Sequence, residues 1–293
     1  MIRELVVISG KGGTGKTSIA ASLAVLAKKP LVADCDVDAA DLHLLLAPRE
    51  RERRTFESGR QAVIRGEACI GCGRCRDLCR YDAVGRVVTA QGESSYFVDP
   101  HGCEGCGVCA RFCSAGAIDF SARVCGRWMV SDTRVGPMVH ARLGIAAENS
   151  GKLVSLVRRE AARLAREENR ELVIVDGPPG VGCPVIASLT GAHRALLVAE
   201  PTVSGEHDLH RVLELASHFG IRSHVAVNKW DLNPDMTRRL EAAALHAGAV
   251  PAGRIRYDTG VTRAQIAGLT PVEADTPCAP DIVEVWKTLD LEK

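Results

Sequence analysis

Aromatic side chains make up only 4% of the 293 residues, so stacking platforms for single-stranded nucleic acid are scarce. No charge excess compensates. Lys plus Arg number 37 against 36 Asp plus Glu, which leaves no overall field to attract nucleic acid or an anionic membrane. No apolar run approaches the ~20 residues that cross a bilayer. Met1-Ile-Arg-Glu-Leu-Val-Val-Ile8 enters a strand directly, without a separate signal-peptide core and cleavage site. Nucleic acid and membrane are therefore not expected partners, and the expected location is cytoplasmic. The composition, 46% hydrophobic and 25% charged, excludes a mostly disordered or fibrous chain. The length suits one large domain or two modest ones.

Cysteine is the exception to this plainness. Twelve are many for a compartment that disfavours disulfides, and eight of them lie between Cys69 and Cys113. Cys35, Cys125, Cys183 and Cys278 are scattered. Cys69-Ile-Gly-Cys-Gly-Arg-Cys-Arg-Asp-Leu-Cys79 is echoed by Cys103-Glu-Gly-Cys-Gly-Val-Cys-Ala-Arg-Phe-Cys113, and Ala83-Val84 after the first copy matches Ala117-Ile118 after the second. Both copies have the spacing C-x2-C-x2-C-x3-C of two-cluster bacterial ferredoxins, in which the fourth cysteine serves the other cluster. Two [4Fe–4S] clusters are expected, one on Cys69, Cys72, Cys75 and Cys113, the other on Cys103, Cys106, Cys109 and Cys79. The fourth cysteine is expected to start a helix. Gly71, Gly73, Gly105 and Gly107 let backbone amides approach the sulfides. Zinc is the rival, though its structural sites use paired knuckles more than four cysteines in one run. Arg80 and Ser114 stand where ferredoxins usually have proline; proline is no ligand, so binding survives the departure.

Around this segment the chain alternates strand and helix, which indicates an α/β fold with a parallel sheet. Strands are predicted at Leu5–Ile8, Leu31–Asp34, Leu172–Val175, Ala195–Ala199 and His224–Val227. Ile19, Leu23 and Leu26 recur at helical spacing, and Pro30 is expected to end that helix. A second helix is expected over Lys152–Glu168. The run Arg49-Glu-Arg-Glu-Arg-Arg54 is too charged for a core strand. The expected organisation is an α/β domain over residues 1–58 and 123–293, interrupted by a small iron–sulfur domain at 59–122.

Gly10-Lys-Gly-Gly-Thr-Gly-Lys-Thr17 fits the phosphate-binding pattern G-x-x-x-x-G-K-[ST] between a strand and a helix. Glycines let backbone N–H groups wrap phosphate oxygens, and the helix N-terminus adds positive potential. Gly10, Gly12, Gly13, Thr14, Gly15, Lys16, Thr17 and Ser18 form the expected cradle. Lys16 would reach the β/γ-phosphates and Thr17 would ligate magnesium. Asn228-Lys229-Trp-Asp231 follows a strand and would sit beside the base; alone, N-K-x-D is a guanine-reading pattern, so GTP stays open beside ATP.

Lys11, in Lys-Gly-Gly-x-Gly-Lys-Thr, makes the loop resemble the deviant Walker A of the MinD/ParA/nitrogenase-iron-protein superfamily of P-loop ATPases. The resemblance extends over nearly the whole chain, including Arg142–Val154 and Glu200–Asp208, neither of which is assigned a catalytic role. It implies a parallel-sheet P-loop NTPase with an inserted small α+β ferredoxin domain carrying two [4Fe–4S] clusters. It implies that Lys11 stabilises phosphate charge at a dimer interface. Asp34-Cys-Asp36-Val-Asp38 resembles switch I, where Asp36 would orient the attacking water near magnesium, with Asp34 the alternative and helix capping a plainer role. Leu172-Val-Ile-Val-Asp176-Gly-Pro-Pro-Gly180 resembles Walker B and switch II, with Asp176 holding magnesium through water. In the superfamily the Asn228 position contacts adenine, which favours ATP. The implied partners are a second copy or a paralogue, closed onto the first by ATP, and a redox or metal-cluster-assembly protein. Membrane attachment through a basic C-terminal helix, as in MinD, is not expected of Ile282–Lys293, which is short and leans acidic. Cys183 lies seven residues beyond Asp176, the offset of a bridging-cluster ligand in the nitrogenase iron protein, so it is a candidate metal ligand at the dimer axis. Its dull alternative is a small buried side chain. A second ligand is not assigned, and Cys125 is only a loose candidate.

Overall fold

The computed structural model describes residues 2–88, 92, 94–144 and 149–291. Met1, residues 145–148 of the Arg142–Val154 stretch, and the last two residues of the acidic-leaning C-terminus lie outside them. The chain divides into two compact units. The first comprises Met1–Arg54, Arg127–Leu143 and Ser150–Lys293; the second comprises Thr55–Gly126 and Gly144–Asn149.

The strands are β1 (Arg3–Ser9), β2 (Leu31–Asp34), β3 (Arg49–Ile64), β4 (Val84–Val88), β5 (Ser94–Val98), β6 (Ile118–Asp132), β7 (Pro137–Leu143), β8 (Leu172–Pro179), β9 (Arg194–Ala199), β10 (Arg222–Asn228) and β11 (Val250–Ile255). The longer helices are α1 (Lys16–Leu26), α5 (Ser150–Glu167), α7 (Val203–His218), α8 (Pro234–His246) and α10 (Ala279–Thr288), with shorter α2 (Leu42–Leu46), α3 (Arg74–Asp77), α4 (Val108–Arg111), α6 (Cys183–Leu189) and α9 (Gly260–Ile266) between them.

The large sheet has the order β11-β10-β9-β1-β8-β2-β7-β6-β3, and every pair from β11 to β7 is parallel. Parallel strands in such a sheet are covered on both faces, so they read as unbroken apolar runs. Leu5, Val6, Val7 and Ile8 are all fully buried, as are Ile174 and Val175 on β8. Because β1 and β8 are neighbours, the loop after β1 and the carboxylate on β8 meet at the same end of the sheet, with Val7 in register with Asp176.

Two local expectations are corrected, while the run judged too charged for a core strand is an edge one. Helix α1 ends at Leu26, before Pro30: Ala27 is already extended, and Lys29 takes a left-handed φ of 47°. Proline follows this stop instead of making it. The charged run at residues 49–54 does form a strand, β3, but at the sheet edge and almost wholly exposed. Its arginines are tied down there, Arg51 to Asp132 and to Glu168, and charge on an edge strand discourages further pairing. After Cys125, where helix–strand alternation was expected to resume, β6 instead runs on and joins β7 by a tight turn in which Thr133 N–H donates to Gly136 O at 3.0 Å.

The second unit holds the antiparallel pair β4–β5 and the two cysteine runs. Helices α3 and α4 begin directly after Gly73 and Gly107, whose φ angles are 77° and 75°. The third cysteine of each run therefore sits in the helix, and Cys79 and Cys113 follow it. This corrects the expectation that the fourth cysteine starts a helix; the left-handed glycine fixes the start earlier. Among the described residues no helix is long and apolar enough to cross a membrane.

Burial on β10 gives the stability of the first unit a pH dependence. His224 is fully buried, and burial together with Arg194 and Arg222 lowers its pKa to about 4. The unfolded histidine takes its proton near pH 6.5, so the folded state is disfavoured as pH falls from about 6.5 toward 4. His140, lowered to about 4 by burial and His43, acts in the same direction. Urea unfolding of His224→Leu between pH 4.5 and 7 should show a slope reduced by up to about 1.4 kcal/mol per pH unit. An unchanged slope would remove His224 from this account.

Candidate functional site

The loop between β1 and α1 carries its glycines where side chains do not fit. A Cβ on Gly10 would lie 2.3 Å from Asp208 Cβ and 2.8 Å from its carbonyl carbon on α7. Gly13 and Gly15 have φ of 80° and 88°, and a Cβ on Gly15 would fall 2.6 Å from Asn228 Nδ2. Asn228 Nδ2 in turn donates to Thr14 O at 2.7 Å, so the end of β10 braces the loop. Gly10→Ala must displace helix backbone or the loop itself. We expect it to cost about 1–3 kcal/mol of stability, as overpacking does, and to weaken nucleotide binding; thermal unfolding and titration of nucleotide check both.

Lys16 opens α1 and is buried with three carboxylates. Its Nζ lies 2.7 Å from Asp36 Oδ2 and 4.0 Å from Asp176 Oδ1. Burial alone would lower the Lys16 pKa, but Asp176, Asp36 and Asp34 outweigh it and hold it above its ordinary value. Burial, Asp176 and Asp36 push the Asp34 pKa well up, and its Oδ1 accepts from Asp36 N–H at 3.2 Å. Burial raises Asp176 to about 6 against the pull of Lys16 and the adjacent Thr17 hydroxyl. Neither Asp176 oxygen completes a hydrogen bond of normal geometry, and Asp34 Oδ2 and Thr14 Oγ1 are likewise buried without a partner. Buried oxygens in this state, with three acids against one lysine, suit a divalent cation bound with phosphates.

Lys11 lies on the other side of the loop. Its Nζ is 3.2 Å from Glu200 Oε2 and hydrogen-bonds Thr202 Oγ1 at 3.1 Å and Ser204 Oγ at 3.3 Å. Lys229 also pairs with Glu200, and its Nζ donates to Gly13 O at 3.3 Å. Glu200, Thr202 and Ser204 were missed as functional residues, although the sequence had singled out Glu200–Asp208 as a stretch.

Gly13, Gly15, Ser18, Asn228 and Lys229 share a cavity with Arg256, Tyr257, Asp258 and Gln265. Gln265 Nε2 donates to Ser18 Oγ at 2.8 Å. These last four were not foreseen, because β11 and α9 carry no motif and reach the loop only through the fold. Asp231 does not line this cavity. Its Oδ1 accepts the Tyr257 N–H at 2.7 Å.

The second unit gathers its cysteines across the two repeats. Cys69, Cys72, Cys75 and Cys113 all line one pocket. Cys109 is raised in pKa by burial, lowered by the Ala110 N–H, and raised again by Cys103, Cys106 and Cys79, so those four thiols share a neighbourhood. All eight are free. Ala117 N–H donates to Cys113 Sγ at 3.3 Å. Cys183 is exposed at the start of α6, whereas Cys125 is buried with its Sγ donating to Ser58 O at 3.2 Å, a position that gives it no role as a second ligand.

The family of CobQ/CobB/MinD/ParA nucleotide binding domains matches residues 5–272. An uncharacterized protein of Methanocaldococcus jannaschii is 34% identical over 237 residues, covering 80% of each chain. An indolepyruvate oxidoreductase subunit of Methanothermobacter thermautotrophicus is 46% identical over 61 residues, which are 20% of this chain and 9% of that one. The structure of the septum site-determining protein MinD complexed with Mg-ADP, from Pyrococcus horikoshii, aligns with a TM-score of 0.58 at 16% identity, covering 99% of this chain and 97% of its own. At that identity the likeness is one of fold.

Proposed function

The chain belongs to the CobQ/CobB/MinD/ParA nucleotide-binding family, and from that premise we propose that it binds and hydrolyses ATP with Mg2+ and carries two [4Fe–4S] clusters. Nucleotide state would control electron transfer to a partner protein, or assembly of a metal or iron–sulfur cluster on it. The observation that carries the iron–sulfur half is the ring of Cys69, Cys72, Cys75 and Cys113 about one cavity, drawn from both repeats. Residues 59–122 would then be the inserted ferredoxin-like domain. The short stretch shared with an oxidoreductase subunit supports a redox role. When bound, the clusters supply reversible one-electron storage.

In the nucleotide site, Lys16 would exchange Asp36 for the β/γ-phosphates, which frees the Asp36 carboxylate to orient water. Thr17 and Asp176 would hold the cation. Lys11 would leave Glu200, Thr202 and Ser204 to meet phosphate charge, and closure of a homodimer or a heterodimer with a paralogue is the event that would move it. ATP is preferred to GTP because the loop with Lys11 resembles that of an ATPase superfamily. A GTP-using switch is the second reading, and tight GTP binding with negligible ATP binding would establish it. The third is a carrier or scaffold that hands on its clusters without redox turnover.

Two measurements separate these readings. Iron content followed through ATP turnover stays constant for electron transfer and falls for delivery. Affinity capture from native lysate, with and without a non-hydrolysable ATP analogue, tests nucleotide-dependent partner binding. Cys183, exposed beside the switch II segment, is kept as a candidate ligand for a transferred metal. Cys183→Ser should leave ATP binding and iron content intact while abolishing transfer; unimpaired transfer removes it.

A further inference from the structure

We infer that the two cysteine sets are tuned unequally, so that an electron delivered by a low-potential one-electron donor comes to rest at the Cys69, Cys72, Cys75 and Cys113 set. This inference rests on the two-cluster reading above. Cluster potential depends on solvent exposure, on nearby charge and on hydrogen bonds to sulfur. Exposure does not separate the sets: each has one exposed cysteine, Cys72 or Cys106, and three of intermediate exposure. Charge and hydrogen bonding do separate them.

The repeats differ at six equivalent positions, two of them among the first three cysteines. Where the first run has Ile70 and Arg74, the second has Glu104 and Val108. Arg74 lines the cavity of the first set. Around the three cysteines that each run gives to its own set, residues 69–75 carry Arg74 and residues 103–109 carry Glu104. The first loop is thus more positive by two charges. Reduction adds one negative charge, and positive surroundings favour it.

The second difference lies over the paired glycines. A Cβ on Gly73 would lie 2.8 Å from the Tyr96 hydroxyl, and Tyr96 lines the cavity. A Cβ on Gly107 would instead lie 3.0 Å from the ring of Phe120. A phenol can donate a hydrogen bond to sulfur and a phenyl ring cannot. Arg60 does lie near the second loop, but its guanidinium sits 5.5 Å from the Phe120 ring centroid, over that ring. Arg74 lies 5.8 Å from the Phe112 ring, on the run that supplies Cys113.

The step itself moves one electron. The cluster of the Cys79, Cys103, Cys106 and Cys109 set is oxidised by one electron as the other is reduced by one, with no bond, proton or ligand exchanged. The test is a potentiometric titration of the anaerobic full-length protein, followed by electron paramagnetic resonance. Two midpoints are expected, far enough apart that at one poise the reduced-to-oxidised ratios differ at least tenfold, about 59 mV for a one-electron couple. Arg74→Gln and Tyr96→Phe should each lower the upper midpoint and leave the lower one in place, whereas Glu104→Gln should raise the lower one. With full iron present, a single shared midpoint, or an upper midpoint that neither Arg74→Gln nor Tyr96→Phe moves, overturns this inference and leaves the two-cluster reading standing. Protein that takes up no iron overturns both.

Discussion

Lys16→Ala should lose nucleotide binding by at least tens-of-fold and hydrolysis altogether. Lys16 is the one cation among three buried acids, with Asp36 at 2.7 Å. A hydrogen bond to a charged group contributes about 1.5–3 kcal/mol, which alone is roughly 10- to 150-fold in affinity. The variant should also be less stable at neutral pH, by about 3–5 kcal/mol, because Asp36 and Asp176 are left buried without their counter-charge. That deficit should shrink as the pH is lowered. Asp34 and Asp176, whose folded pKa values are raised, take up protons before unfolded carboxylates do, so acid relieves the repulsion and stability falls again as pH rises. Isothermal titration with ATP and Mg2+, beside urea unfolding at two pH values, checks both parts. Lys11→Ala should differ: binding persists, while hydrolysis and dimer closure suffer. A strictly monomeric protein with a full ATPase rate would remove the argument from Lys11.

Anaerobically prepared protein should carry about eight irons per chain, as two four-iron clusters require. Single substitutions should then divide the metal by set and not by repeat. Cys113→Ser, although it lies in the second run, should cost the same cluster as Cys72→Ser, because both line one cavity with Cys69 and Cys75. Each variant should keep about four irons. Iron and sulfide analysis with visible absorbance reads this directly. Stoichiometric zinc would overturn the cluster reading, and iron lost by repeat would overturn the crossed sets. Cys125→Ser serves as the control, since its buried thiol bonds only backbone carbonyls and should leave the iron content unchanged.

The amino-acid sequence by itself determined whatever is local in period or spacing. The apolar run from Leu5 to Ile8 could only be a covered strand, and the loop of Gly10 to Thr17 needs φ values that glycine alone adopts freely. The cysteine spacing likewise marked the second unit, because ligand geometry is written in a few consecutive residues. Tertiary structure decided what depends on partners distant in the chain. The charged residues 49–54 read only as unfit for a core strand; their edge position and the ion pairs to Asp132 and Glu168 come from elements 80 and more residues away. Asp231 belongs to a base-reading pattern in sequence, yet the approach of β11 turns its carboxylate to the Tyr257 N–H. Lys11 has a signature position, but its partners, Glu200, Thr202 and Ser204, lie about 190 residues on. A side chain's neighbours are set by packing, and packing joins segments that no local pattern connects.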